Sequence, residues 1–281
     1  MAQPGDPLQQ WSESAKYWTK HSDTIRQMFS PLTEALIADA SIVPGQSVLD
    51  VAAGAGDPSL TIAQRIGPVG SVMCTDAIAE MVEKAKANAM ARGLTNIQFR
   101  QCPADNLPFA DNLFNAAVSR LGAMFFPDAL AAFREMLRVT KPRGVLAFVV
   151  WGESEINPFC YVITDIMARH VETPPTDPDA PGAFRFAEPG KLATTLKDAG
   201  AVEVRERILK FKIAAPISSE EFWQLRSATS DTLRTKLGKL SDKERTQISK
   251  EVLESVKDFF PNNRMSFPAQ MLIVTGRKTA R

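Results

Sequence analysis

The chain has 281 residues, with 33 Lys and Arg against 32 Asp and Glu, for a formal net charge of +1. At 44% hydrophobic and 23% charged it has the balance of a globular protein. A near-neutral chain is not built for long-range attraction to nucleic-acid phosphates or anionic lipid. Cys74, Cys102 and Cys160 lie far apart, and His21 and His170 are the only histidines. That inventory gives neither a disulfide framework nor a zinc or iron ligand set, so no metal is expected. The start, Met1 to Asp6, lacks a basic region followed by an apolar run, and no apolar stretch reaches the length of a membrane span. Reduced thiols without an export signal point to a cytoplasmic protein.

In chain order, Trp11, Ala15, Trp18, Ile25, Met28, Phe29, Leu32 and Leu36 recur at helix spacing, so residues 1–43 are expected to form a helical cap ended by Pro44-Gly45. Ser47 to Val51 is a short apolar run typical of a buried strand. A helix is predicted over Asp57 to Ile66, with Asp57 as N-cap and Pro58 at the first helical position. Strands follow at Ser71–Thr75, Ile97–Gln101, Leu113–Ser119 and Gly144–Trp151. Helices are predicted at Ala79–Arg92, closed by Gly93, and at Asp128–Val139. Strand and helix alternate as in βαβ units. The expected fold is therefore α/β, Rossmann-like and doubly wound, with a mostly parallel sheet over residues 44–281. Glu172 to Gly182 is a Pro-rich loop. Beyond it come a helix at Glu188–Ala199, a strand at Val202–Ile213, a charged helical stretch at Ser218–Phe260 and a last strand at Phe267–Thr275. The pattern is thus interrupted by two insertions, about 153–187 and 216–264, which are expected to build the ligand side.

The strongest chemical signal is Val48-Leu49-Asp50-Val51-Ala52-Ala53-Gly54-Ala55-Gly56-Asp57. A strand runs into a turn of small residues and then into a helix, and only small side chains let a ligand touch that backbone. A tight βα turn with no ligand satisfies the same pattern. A dinucleotide fingerprint starting at Gly54 would put Ser59 where Gly or Ala is usual. The carboxylate of Asp57, at a helix N-terminus, would repel a pyrophosphate and suit a cationic ligand. S-adenosylmethionine carries a sulfonium and an ammonium and no phosphate. Asp76 ends the second strand, where a carboxylate accepts from vicinal ribose hydroxyls or caps the next helix. Asp105 is a candidate acceptor for an adenine amine, with Ile78, Met81 and Leu107 as candidate clamps on the ring.

The set VLDVAAGAGD, Asp76, PADNLPF and KPRG resembles class I S-adenosylmethionine-dependent methyltransferases, closely from about Pro44 to Trp151. Within the class it looks like the ubiquinone/menaquinone-type (methyltransferase type 11-like) small-molecule branch, through Ser119 to Asp128, Asn157-Pro158-Phe159 and Pro181 to Phe186. The resemblance implies a seven-stranded sheet. It implies that Asp50 orders the turn near the cofactor's amino-acid end, and that Gly54 and Gly56 let the methionyl part approach, with the methyl of Ala52 added near the ligand. Asp76 and Ala77 fall at the ribose, Met81, Ala104 and Asp105 at the adenine, and Ser119 and Arg120 beside the sulfonium. Ala52 replaces the family's first glycine, Asn115 its aspartate after strand four, and Arg143 a glycine of KPGG.

Amino-methylating enzymes acting on nucleobases usually place an (Asp/Asn)-Pro-Pro-(Tyr/Phe) tetrad after strand four. Ser119-Arg120-Leu121-Gly122 stands there instead. The late basic residues Arg234, Lys236, Lys239, Lys243, Arg245 and Lys250 alternate with acids, as on a solvated helix. A small-molecule acceptor is therefore expected, with no nucleic-acid partner. Its pocket is expected under the N-terminal helix (Trp11, Tyr17, Trp18) and the two insertions. Phe125, Phe126, Phe159, Phe184, Phe186, Phe222 and Trp223 are candidates for an apolar lining suited to an aromatic or lipophilic body, and each is equally an ordinary core residue. His170 is the candidate general base, although a surface helix position explains it as well. Two other readings stand beside methyl transfer. One is a non-catalytic cofactor-binding or regulatory module, motivated by Ala52 and few acid–base groups. The other is an NAD-dependent oxidoreductase, disfavoured by Asp57 and Ser59.

Overall fold

The computed structural model describes residues 7–172 and 177–280. The apolar runs form β1 (Ser47–Val51), β2 (Ser71–Asp76), β3 (Ile97–Gln101), β4 (Phe114–Arg120) and β5 (Thr140–Trp151). Two longer strands complete the sheet, β6 (Val202–Ala215) and β7 (Met265–Arg277). The order is β3-β2-β1-β4-β5-β7-β6. All neighbours are parallel except β7, which is antiparallel to both β5 and β6. The winding reverses at β1, which pairs with β2 on one side and β4 on the other, and such a reversal opens a crevice at the carboxyl ends of the strands.

The N-terminal stretch forms α1 (Pro7–Lys20) and α2 (Ser22–Asp39). With α3 (Ser59–Ile66) and α4 (Ala79–Ala91), α2 covers one face of the sheet. The other face is covered by α5 (Ala129–Val139) and, further along, α7 (Lys191–Asp198). Core strands are apolar on both sides because both faces are covered: Val48, Leu49, Ala117, Val118, Leu146 and Phe148 are fully buried.

Both insertions spring from one end of the sheet. Trp151, the last residue of β5, lies opposite Met271, and Ala215, the last of β6, lies opposite Met265. The chain therefore leaves β5 and β6, and enters β7, at the carboxyl rim of the parallel strands. The first insertion holds α6 (Pro158–His170). The second holds α8 (Ser219–Thr229), α9 (Asp231–Gly238) and α10 (Asp242–Val256), with α10 against α6. Residues 173–176 of the expected Pro-rich loop lie outside the described residues. Buried Asn157 fastens the first insertion to the sheet: its amide donates to the carbonyls of Glu153 (2.8 Å) and Gln270 (3.2 Å) and accepts from the Gln270 N–H (2.8 Å).

One predicted boundary is corrected. The helix after the glycine turn starts at Ser59, and Asp57 is not its cap. The capping group is Asp50, whose Oδ2 accepts from the Ser59 N–H (2.9 Å) and hydroxyl (2.6 Å). A strand residue thus caps the helix across the turn, which no local pattern reveals. The Lys141-Pro142-Arg143-Gly144 segment belongs to β5, where pairing with β4 shifts register between Phe114 and Ala116.

Candidate active site

The crevice is walled by the carboxyl ends of β1, β2 and β4. Asp50 is fully buried, in register with Cys74 of β2 and Val118 of β4. While its Oδ2 caps α3, its Oδ1 has no partner. Burial pushes the Asp50 carboxyl up to about 7, against the opposing pull of the Ser59 hydrogen bonds and the Arg120 charge. Ser119 Oγ and Arg120 Nε, at the end of β4, are likewise buried without partners. Three unsatisfied polar atoms therefore gather at one crevice, where burying such atoms is costly unless something pairs with them.

Ala52 has a φ of +58° and Leu121 a φ of +60°, conformations an L side chain adopts at a penalty. A Cβ on Gly122 would fall 2.7 Å from both the Ala52 Cβ and the Ser119 Oγ, so Gly122 leaves the space that the Ala52 methyl needs. At Gly54, with φ of +56°, an added Cβ would meet nothing within 4 Å, so this corner of the turn is open. At Gly56, with φ of +105°, it would press on Ala85 and Leu60 at 3.1 Å, which makes this glycine a packing requirement.

The Asp57 carboxylate is not free to meet a ligand. Its Oδ2 pairs with Arg120 Nη1 at 2.6 Å, with both side chains under 10% exposed (9% and 7%). Thr33 of α2 and Thr61 of α3 donate hydroxyl bonds to Asp57 at 3.1 and 2.8 Å. Arg120 also donates to Thr33 Oγ1 (2.7 Å) and to the carbonyls of Phe29 (3.3 Å) and Asp57 (3.0 Å). This junction locks α2, the glycine turn and β4 together. It cancels the negative charge on which the expectation of phosphate repulsion rests.

Asp76 sits at the rim of β2. Its Oδ2 accepts from the Gly54 N–H at 2.9 Å and its Oδ1 from the Ile78 N–H at 3.0 Å. Burial raises its pKa, and these backbone bonds oppose the rise. Each oxygen keeps a lone pair. Ala77 is half-buried, and its carbonyl accepts from Gln101 at 3.1 Å. Ala104 is half-buried, Asp105 exposed, and Leu107 buried under Arg138 and Glu135. Ile78 and Met81 are covered by α1: with Ala15 they form a small apolar cluster packed by Trp11 and Trp18. The tryptophans expected over the acceptor pocket therefore lie over the Asp76 side. Trp11 also meets Phe125 edge-on at 5.0 Å, and Trp18 Nε1 donates to the Thr229 carbonyl at 3.0 Å.

A methyltransferase-domain family profile matches residues 42–157. An uncharacterized protein of Mycobacterium tuberculosis is 40% identical over 125 residues, a match covering 44% of each chain. The ubiquinone/menaquinone biosynthesis C-methyltransferase of Stenotrophomonas maltophilia is 36% identical over 118 residues, 42% of this chain and 47% of that one. The chain thus spans under half the length of these curated relatives. The YcgJ protein of Bacillus subtilis shares the fold at a TM-score of 0.55 and 23% identity, covering 88% of this chain and 97% of that one. Residues 42–157 are a methyltransferase domain.

In this methyltransferase domain Asp50, Ala52, Gly54, Gly56, Asp76, Ser119 and Arg120 converge on one crevice, whereas Asp105 is out on the surface turn. Three polar atoms of this crevice are free to meet an S-adenosylmethionine. An acidic Oδ1, a hydroxyl and a guanidinium N–H stand unpaired beside an open glycine corner. His170 lies elsewhere. It ends α6, about 18 Å along the helix from Pro158, and its Nε2 meets Glu251 of α10 at 3.1 Å. Of the candidate lining, Phe126, Phe159, Phe186 and Phe222 are core, while Phe125, Phe184 and Trp223 are partly exposed. Among the described residues no group of three or more His, Cys, Asp or Glu is arranged to hold a metal, and no helix is long and apolar enough to cross a membrane.

Proposed function

We propose that the protein transfers a methyl group from S-adenosylmethionine to a small acceptor with an aromatic or lipophilic body. The observation that carries this reading is the set of unpaired atoms Asp50 Oδ1, Ser119 Oγ and Arg120 Nε around the opening at Gly54. When bound, the cofactor supplies an electrophilic methyl on a sulfonium. Asp50 Oδ1 would accept from its ammonium, and the open Cα side of Gly54, whose N–H is held by Asp76, would leave room for its methionyl chain. Asp76 offers its remaining lone pairs to the ribose hydroxyls, with Ala77, Met81, Ala104 and Asp105 on the adenine side. Ser119 and Arg120 flank the reacting end.

The acceptor side is supported by the partly exposed aromatics Phe125, Phe184 and Trp223, of which Phe184 is backed by a buried aromatic cluster. Phe29, Trp151, Phe159 and Phe184 approach one another at centroid distances of 6.0–6.5 Å. A pocket lined by the partly exposed members would exclude water and orient a flat substrate, which is where most of the acceleration of a methyl transfer arises. With His170 at the far end of α6, an acceptor that ionises near neutral pH would need no base from His170. Titration calorimetry with S-adenosylhomocysteine tests the reading; no heat and no thermal shift at millimolar ligand count against it.

A second reading, a cofactor-binding module without turnover, is favoured by one arrangement. The Asp76 carboxylate is already bonded at both oxygens, and α1 seals Ile78 and Met81. Binding of S-adenosylhomocysteine with no methylated product from any phenol, quinone or aromatic acid would select it.

A further inference from the structure

The two N-terminal helices are fastened in different ways. α2 buries Met28, Phe29, Leu32 and Leu36 in the main core and is tied to β4 through Arg120. Of the described α1 side chains, only Ser14 and Ala15 are buried. Trp11, Ala15 and Trp18 of α1 close on Ile78 and Met81 in an apolar cluster distinct from the main core. The helices meet at a single residue, His21 (φ −101°, ψ 12°), and no side chain caps α2 there. A helix joined through one residue and seated on a cluster of its own can swing without disturbing the sheet, because few buried contacts oppose the motion.

What holds α1 down comes from the second insertion. Arg234 of α9 donates from Nη2 to the Ser14 hydroxyl at 2.5 Å, and its guanidinium carbon lies 4.7 Å from the centre of the Tyr17 ring. The same guanidinium is steadied within its own insertion by the Asp231 carboxylate at 2.8 Å and by the Ala228 carbonyl. Trp18 Nε1 donates to the neighbouring Thr229 carbonyl at 3.0 Å. These fasteners all sit at the junction of α8 and α9. α1 therefore spans from that junction to Ile78 and Met81, next to Asp76.

Seated in this way, α1 leaves Ile78 7%, Met81 4% and Asp76 9% exposed. On the methyl-transfer reading these residues meet the nucleoside of the cofactor, and a nucleoside cannot reach side chains that two tryptophans already cover. We infer that α1 is a gate over the nucleoside side of the crevice, with Arg234 as its latch, so that an S-adenosyl ligand enters only when the latch lets go. Arg234 is a positioning residue, acting through α1. The inference rests on the methyl-transfer reading and adds the order of events at its cofactor site: latch release first, nucleoside entry second.

The test is stopped-flow mixing of S-adenosylhomocysteine with the full chain, followed by tryptophan emission, since Trp11 and Trp18 leave their cluster when the gate opens. Binding that waits for a minor open state is slowed by the open fraction, so a looser latch speeds it. Arg234→Met should raise the association rate constant by about fivefold or more, somewhat below the full worth of a charge-assisted hydrogen bond because the latch is partly exposed. Arg234→Lys keeps the charge but cannot hold Ser14, Ala228 and Asp231 together, and should fall between Arg234→Met and wild type. Trp18→Phe keeps the ring packing, removes the bond to Thr229, and should speed association by about threefold, with Trp11 as the remaining reporter. Hydrogen exchange reads the gate without ligand: α1 amides should exchange about tenfold or more faster than those of α2, and Arg234→Met should widen the gap with α2 unchanged. An association rate unmoved by Arg234→Met and Trp18→Phe, or α1 protected as well as α2, would overturn the inference and leave methyl transfer standing. Failure of S-adenosylhomocysteine to bind both wild type and Arg234→Met at millimolar concentration would remove the methyl-transfer reading, and the gate with it.

Discussion

The Asp57–Arg120 pair should be among the most expensive contacts in the molecule to break from one side. Both side chains are nearly inaccessible, at 9% and 7%, and the charges meet at 2.6 Å. Asp57→Asn removes the charge and keeps one acceptor oxygen, enough for the Thr33 or the Thr61 hydroxyl but not both, since they bond different oxygens. Arg120 is then left buried and uncompensated, which costs about 3–5 kcal/mol. Arg120→Met leaves the carboxylate with two hydroxyl donors as its remaining partners and should cost a similar amount. For a chain of this size that is a fall in Tm of roughly 10 °C. The double variant replaces the pair by neutral groups and should recover about half or more of the summed loss, because desolvation of both charges disappears with them. Urea unfolding of wild type, both singles and the double gives the coupling energy directly. A single-variant loss under about 1 kcal/mol, or a double variant equal to the sum of the singles, would refute the claim that this ion pair holds α2, the glycine turn and β4 together.

Asp50 gives a pH dependence. Its folded pKa is raised to about 7 from 3.8, so the folded state keeps a proton that the unfolded chain has released. That contribution is complete below about pH 4 and fades as pH rises through about 7, a span worth up to roughly 4 kcal/mol; urea unfolding at both ends should show a fall that Asp50→Asn abolishes. An ammonium at Oδ1 would favour the carboxylate, so S-adenosylhomocysteine should release a proton near neutrality, visible as buffer-dependent heats, and buffer-independent heats would contradict that placement. Gly122→Ala should destabilise by about 1–3 kcal/mol, since its methyl would lie 2.7 Å from both Ala52 Cβ and Ser119 Oγ, and Ala52→Gly in the same chain should recover part of the Tm while the Ser119 contact remains. His170→Gln should change stability by less than about 1 kcal/mol and product formation by less than about twofold, because the pair with Glu251 is partly exposed. A tenfold loss of product would return His170 to the chemistry.

The parallel half of the sheet is legible because its strands are apolar runs bounded by small-residue turns, and SVLDV or GVLAFVVW fits little else in a chain of this length. The convergence of Asp50, Gly54 and Asp76 follows from that pattern, since all three sit at carboxyl ends of adjacent strands. What could not be read are the long-range polar contacts. Asp57 looks like a helix cap because local spacing says so, yet the cap comes from Asp50 and the Asp57 charge goes to Arg120. Thr33 joins the same junction from far upstream, with no local signal. Gly122 accommodates the Ala52 methyl across the crevice, a compensation visible only once both backbones are placed.

That β6 ends and β7 begins beside the last residue of β5 has an engineering consequence. The segments outside the shared 42–157 region hang over a single mouth, anchored by strands that extend past Trp151. Their loops can lengthen, shorten or be exchanged without threading through the ladder below. Swapping the stretch from Pro216 to Arg264 between relatives is thus a natural cassette experiment on the proposed acceptor side, provided the Trp18–Thr229 contact with α1 is carried over.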